Sequence, residues 1–250
     1  MAKISAVIIT LNEGKNIGRC IDSLQKVAND IVVVDSFSTD NTKEICLAKN
    51  VRFVEHKFEG HIEQKNYAIS QAMYPFVLSL DADEALSAVL EKSILEIKDN
   101  PHYDGYAMNR LTNYCGHWIR HCGWYPDTKL RLWDSTKGKW GGVNPHDKYI
   151  MVKEARILHL KGDLKHYSFY TREQHLKQIE KFSAIAARAL FEKNKKSNIL
   201  KLVLNPIASF IKTYILNLGF LDGADGFFIS RQSAYANYLK YKMLKELNRK

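Results

Sequence analysis

The sequence predicts an α/β protein, a mostly parallel mixed sheet flanked by helices with a C-terminal helical appendage. Three observations carry this. Short apolar, β-branched runs alternate four times with helix-periodic stretches in the first hundred residues. The runs are unbroken by polar residues, as in strands covered on both faces. Beyond about residue 170 the strand signal gives way to helical periodicity.

Taken in order, residues 4–10 form the first β-branched run, and residues 15–27 place Ile17, Cys20, Ile21, Leu24 and Val27 at helical spacing. Residues 31–35 are a second strand. Asp40 can cap a helix running to about Lys49, with Glu44 in its first turns. Residues 51–55 read as a third strand, and Gly60 precedes a helix with Ile62, Ile69 and Met73 on one face. Residues 76–80 are a fourth strand, followed by a helical stripe of Leu86, Leu90, Ile94 and Ile97. Later, Leu176, Ile179, Phe182, Ile185, Ala186 and Ala189 stripe one long helix, and Pro206 lies near the start of another.

The chain has 250 residues, 46% of them hydrophobic, so a real core is available and global disorder is excluded. Cys20, Cys46, Cys115 and Cys122 lack the spacing of a zinc site or a disulfide framework and are expected as reduced thiols. The N-terminal apolar run is too short for a signal peptide. The most apolar window, residues 199–221, is interrupted by Lys201, Asn205, Pro206, Lys212 and Asn217 and is not expected to span a membrane. On these points the chain is expected in the cytoplasm.

Parallel sheets bind ligands beyond the carboxyl ends of their strands. Strand one ends in Thr10, Leu11, Asn12 and Glu13, strand two in Asp35, Ser36, Phe37, Ser38, Thr39 and Asp40, and strand four in Asp81, Ala82, Asp83 and Glu84. Turn and cap chemistry explains Ser38, Thr39 and Asp40 at least as well as binding does. Asp81 and Asp83 differ, because two carboxylates one residue apart repel unless a cation or proton sits beside them. A hard divalent metal carrying substrate phosphates wants one or two such oxygens. Neither a Gly-x-Gly-x-x-Gly turn after strand one nor a P-loop occurs, which disfavours dinucleotide dehydrogenases and P-loop enzymes.

Together these segments, with Gln64, Lys65 and Asn66, resemble glycosyltransferase family 2, inverting enzymes of the GT-A fold. The second half, with residues 118–133, Trp140-Gly141-Gly142 and residues 220–226, resembles the lipopolysaccharide-core glucosyltransferase branch. The resemblance implies a catalytic domain over residues 1–170, with a nucleotide-sugar-binding half (1–100) and an acceptor-binding half (101–170). Residues 171–250 would form a basic amphipathic helical region. It implies that Thr10, Leu11, Asn12, Glu13 and Asp35 hold the base and ribose of a nucleotide sugar, UDP-glucose or a related hexose donor. Gln64, Lys65 and Asn66 would line that pocket, with Asp81 near the ribose and diphosphate. Asp83 would hold a divalent metal, Mg²⁺ or Mn²⁺. His166 is either a further ligand or a core histidine. For the base that activates the acceptor hydroxyl, related enzymes carry Val-His-Glu where this chain reads Val143-Asn144-Pro145-His146-Asp147. Asp147 is the candidate and Asp127 the alternative.

All four tryptophans, at 118, 124, 133 and 140, fall within one aromatic stretch interleaved with Arg110, Arg120, Lys129 and Arg131. Aromatic faces suit sugar rings, and the cations suit a phosphorylated acceptor. Arg120, Trp124 and Lys129 are the acceptor-site candidates, whereas Trp133 and Trp140 read as core. The acceptor would be a lipopolysaccharide-core saccharide or, alternatively, a polyprenyl phosphate or another cell-surface glycan.

The net charge is +10, from 37 basic and 27 acidic residues. Residues 191–250 hold 11 Lys and Arg against 4 Asp and Glu, so +7 of it lies there. Beside an apolar stretch with Phe210, Tyr214 and Phe220, this charge reads either as a peripheral anchor on the anionic inner face of the cytoplasmic membrane or as the solvated face of a packed hairpin. A nucleic-acid-binding protein is disfavoured, because a carboxylate-lined rim repels phosphate backbones.

Overall fold

The computed structural model describes residues 1–99, 101–143 and 146–249. Four strands near the N-terminus, β1 (Ile4–Thr10), β2 (Asp30–Asp35), β3 (Arg52–Glu55) and β4 (Phe76–Asp81), lie in the order β3-β2-β1-β4 and are all parallel. The register pairs Thr10 with Asp35 and Ile9 with Asp81, so three polar strand ends finish side by side. Helices α1 (Ile17–Leu24), α2 (Thr42–Ala48) and α3 (His61–Ser70) connect them.

The expected α1 face is buried completely, with Ile17, Cys20, Ile21 and Leu24 packed into the main core beside Ile4, Ile8 and Leu78. Helix α3 stops at Ser70, short of Met73, whose side chain is exposed and whose N–H donates to Ser5 Oγ and to Asp30. Leu86 lies not on a helix but on β5 (Glu84–Leu86), and α4 begins later, at Ala88–Asp99.

The sheet then becomes mixed. β6 (Gly105–Tyr114), β8 (Asp127–Asp134) and β11 (Ile157–Phe169) extend it in the order β4-β8-β6-β11-β5, and β7 (His117–Ile119) pairs with β6. β8 runs antiparallel to β4, and β5 antiparallel to β11 with Lys165 opposite Ala85. A separate hairpin of β9 (Gly138–Val143) and β10 (His146–Met151) places Asp147 opposite Gly142. Asn144 and Pro145 of the candidate base motif lie outside the described residues. Trp133 and Trp140 are core, as expected, meeting edge to face at 5.6 Å while Tyr149 stacks on Trp133 at 3.8 Å.

The chain forms two compact units. One comprises residues 1–110 and 127–166, the other residues 111–126 and 167–250, so the end of β6 and the segment after it belong with the C-terminal helices. The second unit holds α5 (Arg172–Glu192), α6 (Ile199–Phe210), a wider helical segment Ile211–Leu216, a short turn Gly219–Asp222 and α7 (Gly223–Leu247). α5 opens with a capping box between Thr171 and Gln174.

The second unit also explains the 220–226 motif. Buried Asp222 accepts the backbone N–H groups of Arg120 and His121 at 3.2 and 2.9 Å and pairs with His121 Nδ1 at 3.0 Å. Asp225 pairs with Arg172 at 3.0 Å. A Cβ on Gly226 would sit 1.8 Å from Gly219 O, so only glycine admits this approach. Tyr114, Phe169, Trp124 and His175 pack beside this staple, with Tyr114 Oη 3.1 Å from His175 Nδ1.

Burial pushes the His175 imidazole down to about 4. Its ordinary value is near 6.5, so the fold favours the neutral ring. That stabilisation is complete above about pH 6.5 and is lost as pH falls through that value toward 4, by up to about 3 kcal/mol. Urea unfolding followed between pH 7 and 4.5 should show this loss, and His175→Phe, which cannot titrate, should remove that part of the pH difference.

Candidate functional site

The ends of β1 and β2 are joined by polar bonds between their loops. Asn12, in the left-handed region at φ 55°, donates its N–H to Ser38 Oγ at 2.7 Å and accepts the Thr39 N–H on Oδ1 at 2.8 Å. Asp35 accepts the Ser38 N–H at 2.7 Å and also its hydroxyl. Asp40 accepts the N–H groups of Gly14 and Thr42, each at 3.0 Å, so it fixes the two loops to each other as well as opening α2. A Cβ on Gly14 would strike Asn41, which is why the first loop can lie so close. Within this frame the buried Thr10 hydroxyl has no partner among the described residues, and Leu11 is exposed at the rim.

Glu13 is drawn inward, accepting Asn16 Nδ2 at 2.7 Å. Burial raises its carboxyl pKa above the usual range; the Asn16 bond opposes this, and the nearby charges of Asp83 and Asp40 add to it. Gln64 is fully committed: it donates to Ser36 Oγ at 3.0 Å and meets His56 Nδ1 at 2.8 Å, tying α3 to the end of β2. Asn66 pairs with the Trp140 backbone in both directions, at 3.1 and 3.0 Å, and thereby fixes β9 against α3.

A ladder of alternating charges starts at β4. Arg131 on β8 is buried and places Nη2 2.9 Å from Asp81 and 2.7 Å from Glu84. Glu84 is buried too and accepts the Asp81 N–H, closing the turn between β4 and β5. Lys65 Nζ lies 3.3 Å from Asp81 and 2.9 Å from Asp147, over the Trp140 ring at 4.5 Å. At the other end Arg110 meets Glu84 at 3.5 Å and Asp127 at 2.7 Å, and Lys129 meets Asp127 at 2.9 Å. Burial alone would raise the Asp81 pKa, but Arg131 and Lys65 overcome it and hold the carboxyl far below the usual range. Burial likewise opposes ionisation of Asp127, and Lys129 and Arg110 again win. The repulsion expected within Asp81-Ala82-Asp83 is therefore relieved, on the Asp81 side, by the protein's own cations.

Asp83 turns away from this ladder and meets His166 Nε2 at 3.2 Å. Among the described residues no three His, Cys, Asp or Glu side chains close into a metal cage. Asp83 and His166 nonetheless fit a hard divalent ion that takes its remaining oxygens from a substrate diphosphate and water.

Asp81, Lys65 and Asp147 line one cleft of about 390 Å³ together with Arg110, Lys129 and Arg131. Two buried N–H donors of its lining residues, Arg131 Nε and Trp140 Nε1, have no partner among the described residues. Of the acceptor candidates, Lys129 lines this cleft. Trp124 belongs to the second unit's aromatic cluster, and Arg120 lies over Tyr125 in that unit at 5.6 Å. Sequence reasoning missed Glu84 and Arg131 as a buried pair. The signal was a basic residue inside the apolar run of β8, since an unpaired buried charge is too costly to persist.

The site is a rim of carboxylates and cations at the carboxyl ends of parallel strands. The family model described as Glycosyl transferase family 2 matches residues 5–239. An uncharacterized glycosyltransferase of Rickettsia typhi is 30% identical over 260 residues, covering 100% of this chain and 89% of its own. LpsC of Rhizobium meliloti, a lipopolysaccharide core biosynthesis glycosyltransferase, is 28% identical, covering 94% of this chain and 89% of its own. Among solved structures, TarS residues 1–349 of S. aureus align at 16% identity and TM-score 0.47, covering 99% of this chain and 91% of that one. Glucosyl-3-phosphoglycerate synthase of Mycobacterium tuberculosis, crystallised with Mn²⁺ and UDP, aligns at 20% identity and TM-score 0.38, covering 45% and 44%. The protein is a glycosyltransferase. It belongs to glycosyl transferase family 2, with the GT-A fold.

Arg131→Met leaves buried Glu84 and half-buried Asp81 without their shared cation, and should destabilise the protein by about 3–5 kcal/mol in urea unfolding. Adding Glu84→Gln should recover part of that loss, which separates the ion pair from packing.

Proposed function

We propose that the protein is a metal-dependent, inverting hexosyltransferase that moves glucose from UDP-glucose to a phosphorylated saccharide of the lipopolysaccharide core, at the inner face of the cytoplasmic membrane. The observation that carries this reading is Lys65, whose ammonium lies 3.3 Å from Asp81 at the donor end and 2.9 Å from Asp147 across the cleft. The similarity to LpsC supports the choice of acceptor. So does the cleft's lining, since Arg110, Lys129 and Lys148 suit a phosphorylated sugar.

In this reading the loops from Thr10 to Glu13 and at Asp35 receive the nucleotide, and the unpartnered Thr10 hydroxyl is available to it. Gln64 and Asn66 act one step back, by holding Ser36 and Trp140 in place. A divalent ion held by Asp83 and His166 would supply neutralisation of the departing diphosphate's charge. Asp147 takes the proton from the acceptor hydroxyl as its oxygen bonds to the anomeric carbon on the face opposite the leaving group. The bond from that carbon to the diphosphate oxygen breaks, UDP departs, and the configuration inverts. Lys65 Nζ, 2.9 Å from Asp147 Oδ2, holds that carboxylate in place at the cleft. Asp127 suits the base role less well, because both its oxygens are engaged by Arg110 and Lys129.

Asp147→Asn should lower kcat by about 10²–10⁴-fold while UDP affinity, measured by calorimetry, stays within about twofold. Equal turnover would remove Asp147 from the mechanism. A donor-hydrolysis screen over uridine and guanosine diphosphate sugars should give its highest rate with UDP-glucose. It should lose that rate on chelation and regain it with Mg²⁺ or Mn²⁺. Metal-independent turnover would overturn the metal site.

A further inference from the structure

Helix α6 in the second unit is built inside out. The outward face of α6 and of the segment Ile211–Leu216 that continues it carries Ile199, Val203, Leu204, Ile207, Ile211 and Ile215, each between 46% and 65% exposed. Their spacing keeps them on one side of the helix. The hydroxyls of Ser209 and Thr213 turn the other way. Ser209 Oγ accepts Asn237 Nδ2 of α7 at 2.9 Å, and Thr213 is buried, donating to Ser209 O at 2.9 Å. Water drives the opposite arrangement, so a helix with apolar side chains outward and hydroxyls inward suits an apolar surrounding. The apolar surface continues past the helix through Leu216, Leu221 and Phe227. Residues 199–216 are long and apolar enough to cross a membrane by length and composition alone.

Crossing would nevertheless carry α7 with it. α6 and Ile211–Leu216 pack along α7, through Phe210 and Tyr214 on Phe227. α7 bears Arg231, Lys240, Lys242 and Lys245, charges that hydrocarbon does not accept. Lys193, Lys195 and Lys196 precede the apolar face, and Lys212 borders it. Basic residues at the edge of an apolar face complement anionic lipid headgroups.

We propose that the outward face of α6 and the segment to Phe227 lie in the plane of an anionic bilayer, with their apolar side chains among the acyl chains and the lysines at the phosphates. This rests on the membrane placement above and deepens it, by naming the element that enters the lipid and excluding passage through it. An enzyme held this way meets a lipid-linked acceptor by diffusion in the plane of the membrane.

The test uses the full chain and vesicles of phosphatidylcholine with and without phosphatidylglycerol, separated by flotation at low and high salt. The wild type should float with the anionic vesicles, more at low salt. Leu204→Glu/Ile207→Glu should reduce partitioning at least about tenfold, and Lys195→Glu/Lys212→Glu should remove its salt-sensitive part. Donor hydrolysis, which involves none of these residues, should be unchanged in both variants and reports that they fold. In a Cys115→Ser background, thiols introduced by Lys193→Cys and by Asn217→Cys, a polar position at the far end of the apolar segment, should both be labelled from outside sealed vesicles. Labelling of only one would mean that the segment crosses and would overturn the proposal. So would absence of flotation, flotation of the Leu204→Glu/Ile207→Glu variant equal to the wild type's, or a wild-type dimer that this variant converts to monomer without any vesicle binding. Each of these can occur with hydrolysis intact, which leaves the proposed reaction standing.

Discussion

Carboxylates gathered at the end of a buried sheet need cations within reach, and Arg131 is the buried cation that two of them share here. Its Nη2 lies between Asp81 and Glu84. Without it, two acids on one tight turn would face each other in a medium that penalises charge. The pairing depends on topology: β8 runs antiparallel beside β4, with Leu132 opposite Leu78, and brings Arg131 to that turn. From this centre the ladder extends through Lys65 to Asp147 and through Arg110 to Asp127. The cleft is thus framed by groups whose charges are already balanced before any ligand arrives, and that preorganisation favours charge-separating chemistry.

Residues near the site divide into those that face the cleft and those that hold it. Gln64, Asn66 and Asp40 spend their hydrogen bonds on backbone and neighbouring loops, which explains amide and acid side chains at these positions without ligand contact. In the second unit the Phe220–Gly226 segment works the same way, as a staple made of Asp222 and two glycines. Trp124 is likewise part of an aromatic core. An aromatic near a sugar-handling motif is therefore not by itself a sugar platform.

Much of this molecule was legible in its sequence. The four parallel strands, the buried face of α1, the polar strand ends and the concentration of basic charge in the last sixty residues all follow from local periodicity and composition, which are properties of neighbouring residues. Local pattern misplaced Met73 and Leu86, because the apolar spacing of a helix continues into the turn or strand beside it.

What the sequence alone determined was which chemistry the rim could hold, since the carboxylates follow apolar runs directly and a parallel sheet delivers them to one edge. Tertiary structure decided how that chemistry is balanced. Arg131 and Asp81 are fifty residues apart, and Lys65 and Asp147 eighty-two, so no window of sequence records that they touch. It also decided which side of α6 faces outward. Periodicity shows that a helix has two faces, but only packing against α7 shows that the polar one is inside. Burial and long-range pairing are properties of the whole chain, and the charges and hydroxyls acquire their roles from them.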